Sequence, residues 1–257
     1  MKRRECREWI GKKYMRLELK FNLEKPEIAL DYRRIILSWL KSSLTICNQG
    51  KYFDKYFSGT EPKDYSFTVV FPKPEFHKEK IILEKPQMKI LFSADDRNKT
   101  GLIFFSAFLG MKNKKFPLAD ENAMILKGVH QMKEQIVTKS EVLFQTCLGN
   151  GLCIREHDRQ SNCDRFVTCE DQDFKEKALQ VLKIQARLAG YPETMTEDLS
   201  IEPIICKKVL VYHYGRYVDT TTGIFKMCGN SQILQYFYRA GAGSKHSSGF
   251  GMVRVLQ

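Results

Sequence analysis

The hydrophobic period changes at Pro26, and that change constrains the fold more than any other feature of the chain. Before it, Tyr14 to Phe21 (YMRLELKF) alternates Leu17, Leu19 and Phe21 with charged residues, the period of a half-buried strand. After it, Tyr32, Ile35, Ile36, Trp39, Leu40 and Leu44 fall on one stripe of an amphipathic helix, with Asp31 near its start and Arg33, Arg34 and Lys41 off the stripe. Gly50 to Lys63 (GKYFDKYFSGTEPK) reads as a loop or short helix, and Tyr65, Phe67, Val69 and Phe71 alternate as a second strand. Lys89 to Ser93 adds a strand, and Gly101 to Leu109 (GLIFFSAFL) is a mixed apolar segment. Strand, helix, then strands is an α+β pattern.

The second half repeats the theme. Met124 to Ile136 is expected as a strand, and Glu141 to Cys169 as a hairpin turning in REHDRQSN. Phe174, Ala178, Val181, Leu182 and Leu188 mark a helix, and Pro203 to Tyr214 another strand. A short strand at Phe225 to Cys228 precedes a helix from Ser231 to Arg239, with Ser231 as its expected N-cap. A glycine-rich loop and the strand Met252 to Leu256 end the sequence. This organisation predicts two βαβ-type units, 1–118 and 119–257, joined near Lys112 to Asp120. No sequence repeat supports the duplication, which rests on pattern alone.

Charge narrows the partner. Lys plus Arg is 42 and Asp plus Glu is 30, so the formal net charge is 42 − 30 = +12 in 257 residues. That balance favours a polyanion, with nucleic acid ahead of lipid headgroups because no basic amphipathic helix stands out. A basic surface kept for solubility is the plainer alternative. No apolar run approaches the ~20 residues needed to span a bilayer, so no membrane segment is expected. The charged start, MKRRECREWIGKKY, lacks the apolar stretch of a secretory signal and predicts a cytoplasmic protein.

In that compartment the cysteines, Cys6, Cys47, Cys147, Cys153, Cys163, Cys169, Cys206 and Cys228, read as free thiols or metal ligands rather than disulfides. Four of them and His157 lie within Cys147 to Cys169, but both cysteine pairs are separated by five residues, whereas structural zinc sites pair ligands two to four apart. No metal and no cofactor is expected, and the cysteines read as small buried or half-exposed residues of a hairpin.

The most specific stretch is Tyr238 to Val255, YRAGAGSKHSSGFGMVRV. Gly241, Gly243, Gly249 and Gly251 bracket Ser244, Lys245, His246, Ser247 and Ser248 between a helix and a strand. Glycine allows close backbone approach to a phosphate, and the lysine and serines supply charge and donors. A tight connection that binds nothing is the alternative. In this form the stretch resembles the C-terminal glycine-rich motif of the RAMP superfamily, and within it the sixth family of CRISPR-associated proteins, endoribonucleases of antiviral defence that cut repeat RNA into guide units. The helix YRRIILSWLKSSL at Tyr32 to Leu44, the strand KDYSFTVVF at Lys63 to Phe71 and the approach GNSQILQYFY at Gly229 to Tyr238 are similar to that family as well.

The resemblance implies two tandem ferredoxin-like (RRM-like) domains, with repeat RNA held across a basic face and by the glycine-rich loop. It also implies metal-independent cleavage, in which the RNA 2′-hydroxyl attacks the neighbouring phosphate to leave a 2′,3′-cyclic phosphate and a 5′-hydroxyl. Many members carry a catalytic histidine at or just after the first helix, yet no histidine lies between Met1 and Phe76 here. That segment offers Lys51, Tyr52, Lys55, Tyr56 and Lys63 instead, poor bases at pH 7 but serviceable cations and donors. Lys63 aligns with a lysine the family uses near the scissile phosphate, and Lys51, Tyr52 and Tyr56 complete the candidate catalytic set. The two tyrosines could equally be core or stacking residues.

Arg33, Arg34 and the loop residues Gly241, Gly243, Ser244, Lys245, His246, Ser247, Gly249 and Gly251 are the candidate RNA contacts. His246 fits a phosphate or base contact better than a general base, and His77 lies beyond the usual catalytic segment. Two other readings stay open: a catalytically inactive RNA-binding subunit of a CRISPR effector complex, and a zinc-dependent nucleic-acid protein. Partnership with an effector complex and homodimerisation are likewise open.

Overall fold

Both halves build the same βαββαβ unit in a computed structural model that describes residues 14–59, 63–158 and 160–256. In the first half, β1 (Tyr14–Leu23) is followed by the short β2 (Glu27–Ala29), α1 (Tyr32–Ile46), the five-residue α2 (Phe53–Phe57) and β3 (Tyr65–Val70). Then come β4 (Glu75–Phe76), β5 (Lys80–Ile82), β6 (Gln87–Asp95), α3 (Thr100–Met111), β7 (Lys115–Pro117) and β8 (Ala123–Gln131). The main sheet runs β3-β6-β1-β8-β7, while β2, β5 and β4 form a small separate sheet. Without the edge strand β7, the order 2-3-1-4 of the six-element unit is the ferredoxin-like topology.

The alternation at Leu17, Leu19 and Phe21 aims these residues at one face, where Leu17 pairs with Phe92 and Leu19 with Ile90. The stripe of α1 lies over that face. Trp39 meets the Phe21 ring edge-on at 5.0 Å and stacks with Phe108 of α3 at 5.2 Å.

In the second half, β9 (Glu141–Thr146), β10 (Ile154–Asp158), β11 (Cys163–Val167), α4 (Phe174–Leu188), β12 (Ser200–His213), β13 (Arg216–Cys228), α5 (Ser231–Ala240) and β14 (Val253–Leu256) follow in order. The sheet order β12-β13-β9-β14 is again 2-3-1-4, with β10 and β11 as a detached hairpin between the first strand and the first helix. Phe144, Phe174, Leu182, Phe225, Ile233 and Phe237 fill its core. The duplication inferred from pattern is therefore present in topology.

Five expectations differ from the structure in detail. Gly101 to Leu109 lies in helix α3, whose apolar residues run nearly all round, Leu102 and Leu109 on its exposed side included, so no period was there to read. Met124 to Ile136 holds β8 only as far as Gln131, and β8 pairs with β1, so the join expected at Lys112 to Asp120 falls inside the first sheet. The hairpin expected from Glu141 to Cys169 is confined to β10 and β11, since β9 is a central strand of the second sheet. The strand at Phe225 to Cys228 extends back to Arg216. Asn230, not Ser231, caps α5, accepting from the Gln232 N–H at 2.9 Å. Cys6 and the rest of the first 13 residues lie outside the described residues. Among the described residues no helix is long and apolar enough to cross a membrane, and no group of three or more His, Cys, Asp or Glu is placed to hold a metal.

The two units meet along β3. Thr68 Oγ1 donates to Leu148 O at 2.8 Å, Asn150 Nδ2 to Phe67 O at 3.0 Å, and Arg16 of β1 to Val253 O at 2.9 Å. Arg16 also lies 4.5 Å from the Tyr238 ring centroid.

Candidate nucleic-acid interface

The glycine segment forms the middle of the seam. Gly249 has φ +88°, a left-handed conformation that suits glycine, and a Cβ there would stand 2.8 Å from Phe67 Cε2. Gly241 has φ +85° and would place a Cβ 2.7 Å from Ser66 Cβ. The backbone amides are turned inward too: Ser244 N–H donates to Cys153 O at 2.7 Å, Gly249 N–H to His246 O at 3.2 Å and Gly251 N–H to Gly151 O at 2.8 Å. The glycines thus let the second unit nest on β3, and the amides of Ser244, Gly249 and Gly251 bond other protein groups rather than facing outward.

Two expected contacts belong to this interior. His246 is 8% exposed, its Nδ1 bonded to Tyr65 O at 3.0 Å, and burial lowers its pKa, so it is neutral and turned away from solvent. Arg33 is 4% exposed although it lies off the apolar stripe of α1. Its Nε donates to Gly249 O at 3.1 Å and its terminal nitrogen to Gly149 O at 2.8 Å, with the guanidinium carbon 4.7 and 5.0 Å from the Tyr32 and Phe250 centroids. It clamps the glycine turn to α1 rather than facing a ligand.

The outer edge of the same turn is cationic. Lys245 is half-buried, its pKa lowered first by desolvation and further by Arg155 and Arg216, and among the described residues no acceptor bonds its ammonium. Asp164 binds both arginines, at 2.7 Å to Arg155 Nε and 2.9 Å to Arg216. Desolvation opposes its ionisation, but the Arg155, His157 and Arg216 hydrogen bonds hold its carboxyl well below the usual range. Ser247 and Ser248 are half-exposed beside Lys245, while Ser244 Oγ accepts from Arg155 N–H at 3.1 Å. Arg34 is exposed, 5.9 Å from the Tyr214 ring on the β12–β13 turn.

Lys63 approaches the turn from the first unit. It is half-buried just before β3, and its pKa is lowered by desolvation and by Lys41 of α1. Like-charge crowding of two ammonium groups is relieved by a phosphate. Lys41 is the residue sequence reasoning passed over. Its position off the apolar stripe was visible, but its closeness to Lys63 required the fold.

The other candidate catalytic groups divide between the core and the surface. Tyr56 is 3% exposed, donates to Thr100 Oγ1 at 3.0 Å and packs on Phe104 and Tyr65. Burial pushes its pKa up to about 12, so it is a core residue and neither orients nor deprotonates a substrate hydroxyl. Lys51 is exposed, 6.0 Å from the Tyr52 ring, and Tyr52 lines a cavity against α3 together with Lys55 and Asn98.

Residues 131–255 match the family model described as CRISPR associated protein Cas6, C-terminal. A Cas6-related protein from Pyrococcus furiosus shares the fold at 19% identity and a TM-score of 0.77, over 95% of this chain and 99% of that one. A structure described as an RAMP protein binding different RNA substrates gives 17% identity and 0.77, over 95% and 100%. A Cas6 product complex gives 14% identity and 0.70, over 95% and 100%. No curated protein matches the chain by sequence.

Proposed function

We propose, for a chain whose residues 131–255 match the Cas6 C-terminal family model and whose described residues have the tandem ferredoxin-like fold of the RAMP and Cas6 structures, that it cuts CRISPR repeat RNA as a metal-independent endoribonuclease. The observation that carries the reading is the position of Lys63 just before β3, where its charge acts on Lys41 of α1 and on His246 of the glycine turn, the latter bonded to Tyr65 O at 3.0 Å. In the reaction the 2′-oxygen forms a bond to the adjacent phosphorus, the P–O5′ bond breaks, and the 2′-proton passes to solvent. The leaving 5′-oxygen takes a proton from Lys63, which regains one from water. A lysine with a lowered pKa is the better acid, and two ammonium groups stabilise the dianionic phosphorane. Lys245 and Arg34 hold flanking phosphates, and Arg33 and His246 keep the turn in place.

Single-turnover cleavage of repeat RNA in excess EDTA tests the reading. The wild type should yield a 2′,3′-cyclic phosphate, and Lys63→Ala should slow the step by roughly 10² to 10³ with RNA affinity little changed, as expected for loss of one electrostatic group. Binding without any cleavage would assign the chain to the inactive RNA-binding subunits.

A further inference from the structure

We infer that the cavity between the C-terminal end of α1, α2 and α3 receives one unpaired base of the repeat RNA, next to the phosphate at Lys63. The inference rests on the RNA-cleavage reading above. The cavity measures about 460 Å³, within the roughly 300–1,000 Å³ of small-ligand sites, and is lined by Asn48, Tyr52, Lys55, Asn98, Lys99 and Leu102 among others. Its chemistry is that of a stacking platform in a cationic rim. Tyr52 supplies a half-buried aromatic ring and Leu102 an apolar side chain, while Lys51, Lys55 and Lys99 are exposed around them. Aromatic faces bordered by lysines are how proteins hold unpaired bases while tracking the backbone.

The surrounding groups are fixed. Lys55 Nζ donates to Asn98 O at 3.1 Å, and Asp96 Oδ1 accepts from Leu102 N–H at 3.3 Å, so this nearby carboxylate is turned to the start of α3. Asn98 Nδ2 donates to Asp64 Oδ2 at 2.7 Å, and Asp64 adjoins Lys63 in sequence. One wall of the cavity is therefore tied to the backbone that carries the proposed catalytic lysine. A strand whose phosphate sits at Lys63 would meet this recess across the Asn98–Asp64 hydrogen bond, and the amide side chains of Asn48 and Asn98 offer polar contacts to the base edge.

The test is a set of repeat RNAs in which each nucleotide in turn lacks its base, titrated against wild type and Tyr52→Ala. One abasic RNA should bind the wild type more weakly by roughly 5- to 150-fold, the worth of one base stacked on an aromatic ring. Tyr52→Ala should lose the same factor on intact RNA and nothing further on that abasic RNA, while Tyr52→Phe keeps wild-type affinity. Leu102→Trp, which fills the recess from an exposed position of α3, should reproduce the loss should the alanine variant fold poorly. Wild-type affinity in Tyr52→Ala and Leu102→Trp, or an equal loss on every abasic RNA, overturns the inference alone. A wild type that does not bind intact repeat RNA overturns the cleavage reading as well.

Discussion

The glycine turn and the Gly50 to Lys63 segment look equally functional in the sequence, and the fold treats them oppositely. The turn, rich in the residues that cradle phosphates, is mostly a joint: Gly241 and Gly249 face β3, His246 bonds Tyr65, and only Lys245 and the serines reach the outer edge. The segment has no motif beyond its lysines and tyrosines, yet among its described residues most lie at least partly on the surface and only Tyr56 is buried in the core. A motif reports which backbone shape is required. It does not report whether that shape serves a ligand or a neighbouring domain.

The largest test of this contrast is Gly249→Val. The side chain would meet Phe67 and hold a left-handed φ, and strain plus overpacking should remove ~3 kcal/mol or more of stability, read by denaturant unfolding. A variant that unfolds like wild type would show that the turn is free to face a ligand. A smaller effect probes the same joint through pH.

His213, 3% exposed and edge-on to Phe250, has its pKa lowered to about 4 by desolvation and by Lys245, Arg33 and Arg216. Asp31 Oδ1, 3.9 Å away, is not an ion-pair partner at neutral pH, because the imidazole is uncharged and burial raises the Asp31 pKa. The unfolded chain takes up the His213 proton near 6.5 and the folded one only near 4, so stability falls as pH drops through that window. Between pH 7 and 5 the wild type should lose about 2 kcal/mol more than His213→Asn. Equal losses would place His213 in a wetter, looser joint.

The smallest effect belongs to the outer edge. Lys245→Ala should weaken RNA binding about tenfold or less and lower the salt slope by about 1, with stability within ~0.5 kcal/mol of wild type. An unchanged salt slope would leave the whole turn structural.

The fold was legible wherever an element buried one face. β1, α1, β3, α4 and β12 announce themselves by period, and the glycine motif marks the approach to β14. Helix α3 was not legible, because its exposed side carries Leu102, Leu109 and Gly110 rather than charged residues, so no polar face sets its phase. Of the candidate site residues, Lys63 and Lys245 are half-buried and Arg34 is exposed, as side chains off an apolar stripe or in a loop are expected to be, whereas Arg33, His246 and Tyr56 are buried, which no local pattern signalled.

By itself the sequence determined two βαβ-type halves, a net positive charge and a glycine turn before the last strand. Which side chains face the surface was decided only by tertiary structure. Arg33 lies off the stripe of its own helix and is buried all the same, since Gly149, Gly249 and Phe250, more than a hundred residues away, cover that side of α1. Periodicity records how one element meets its own core, whereas the contact of one unit with another depends on residues that no local window contains.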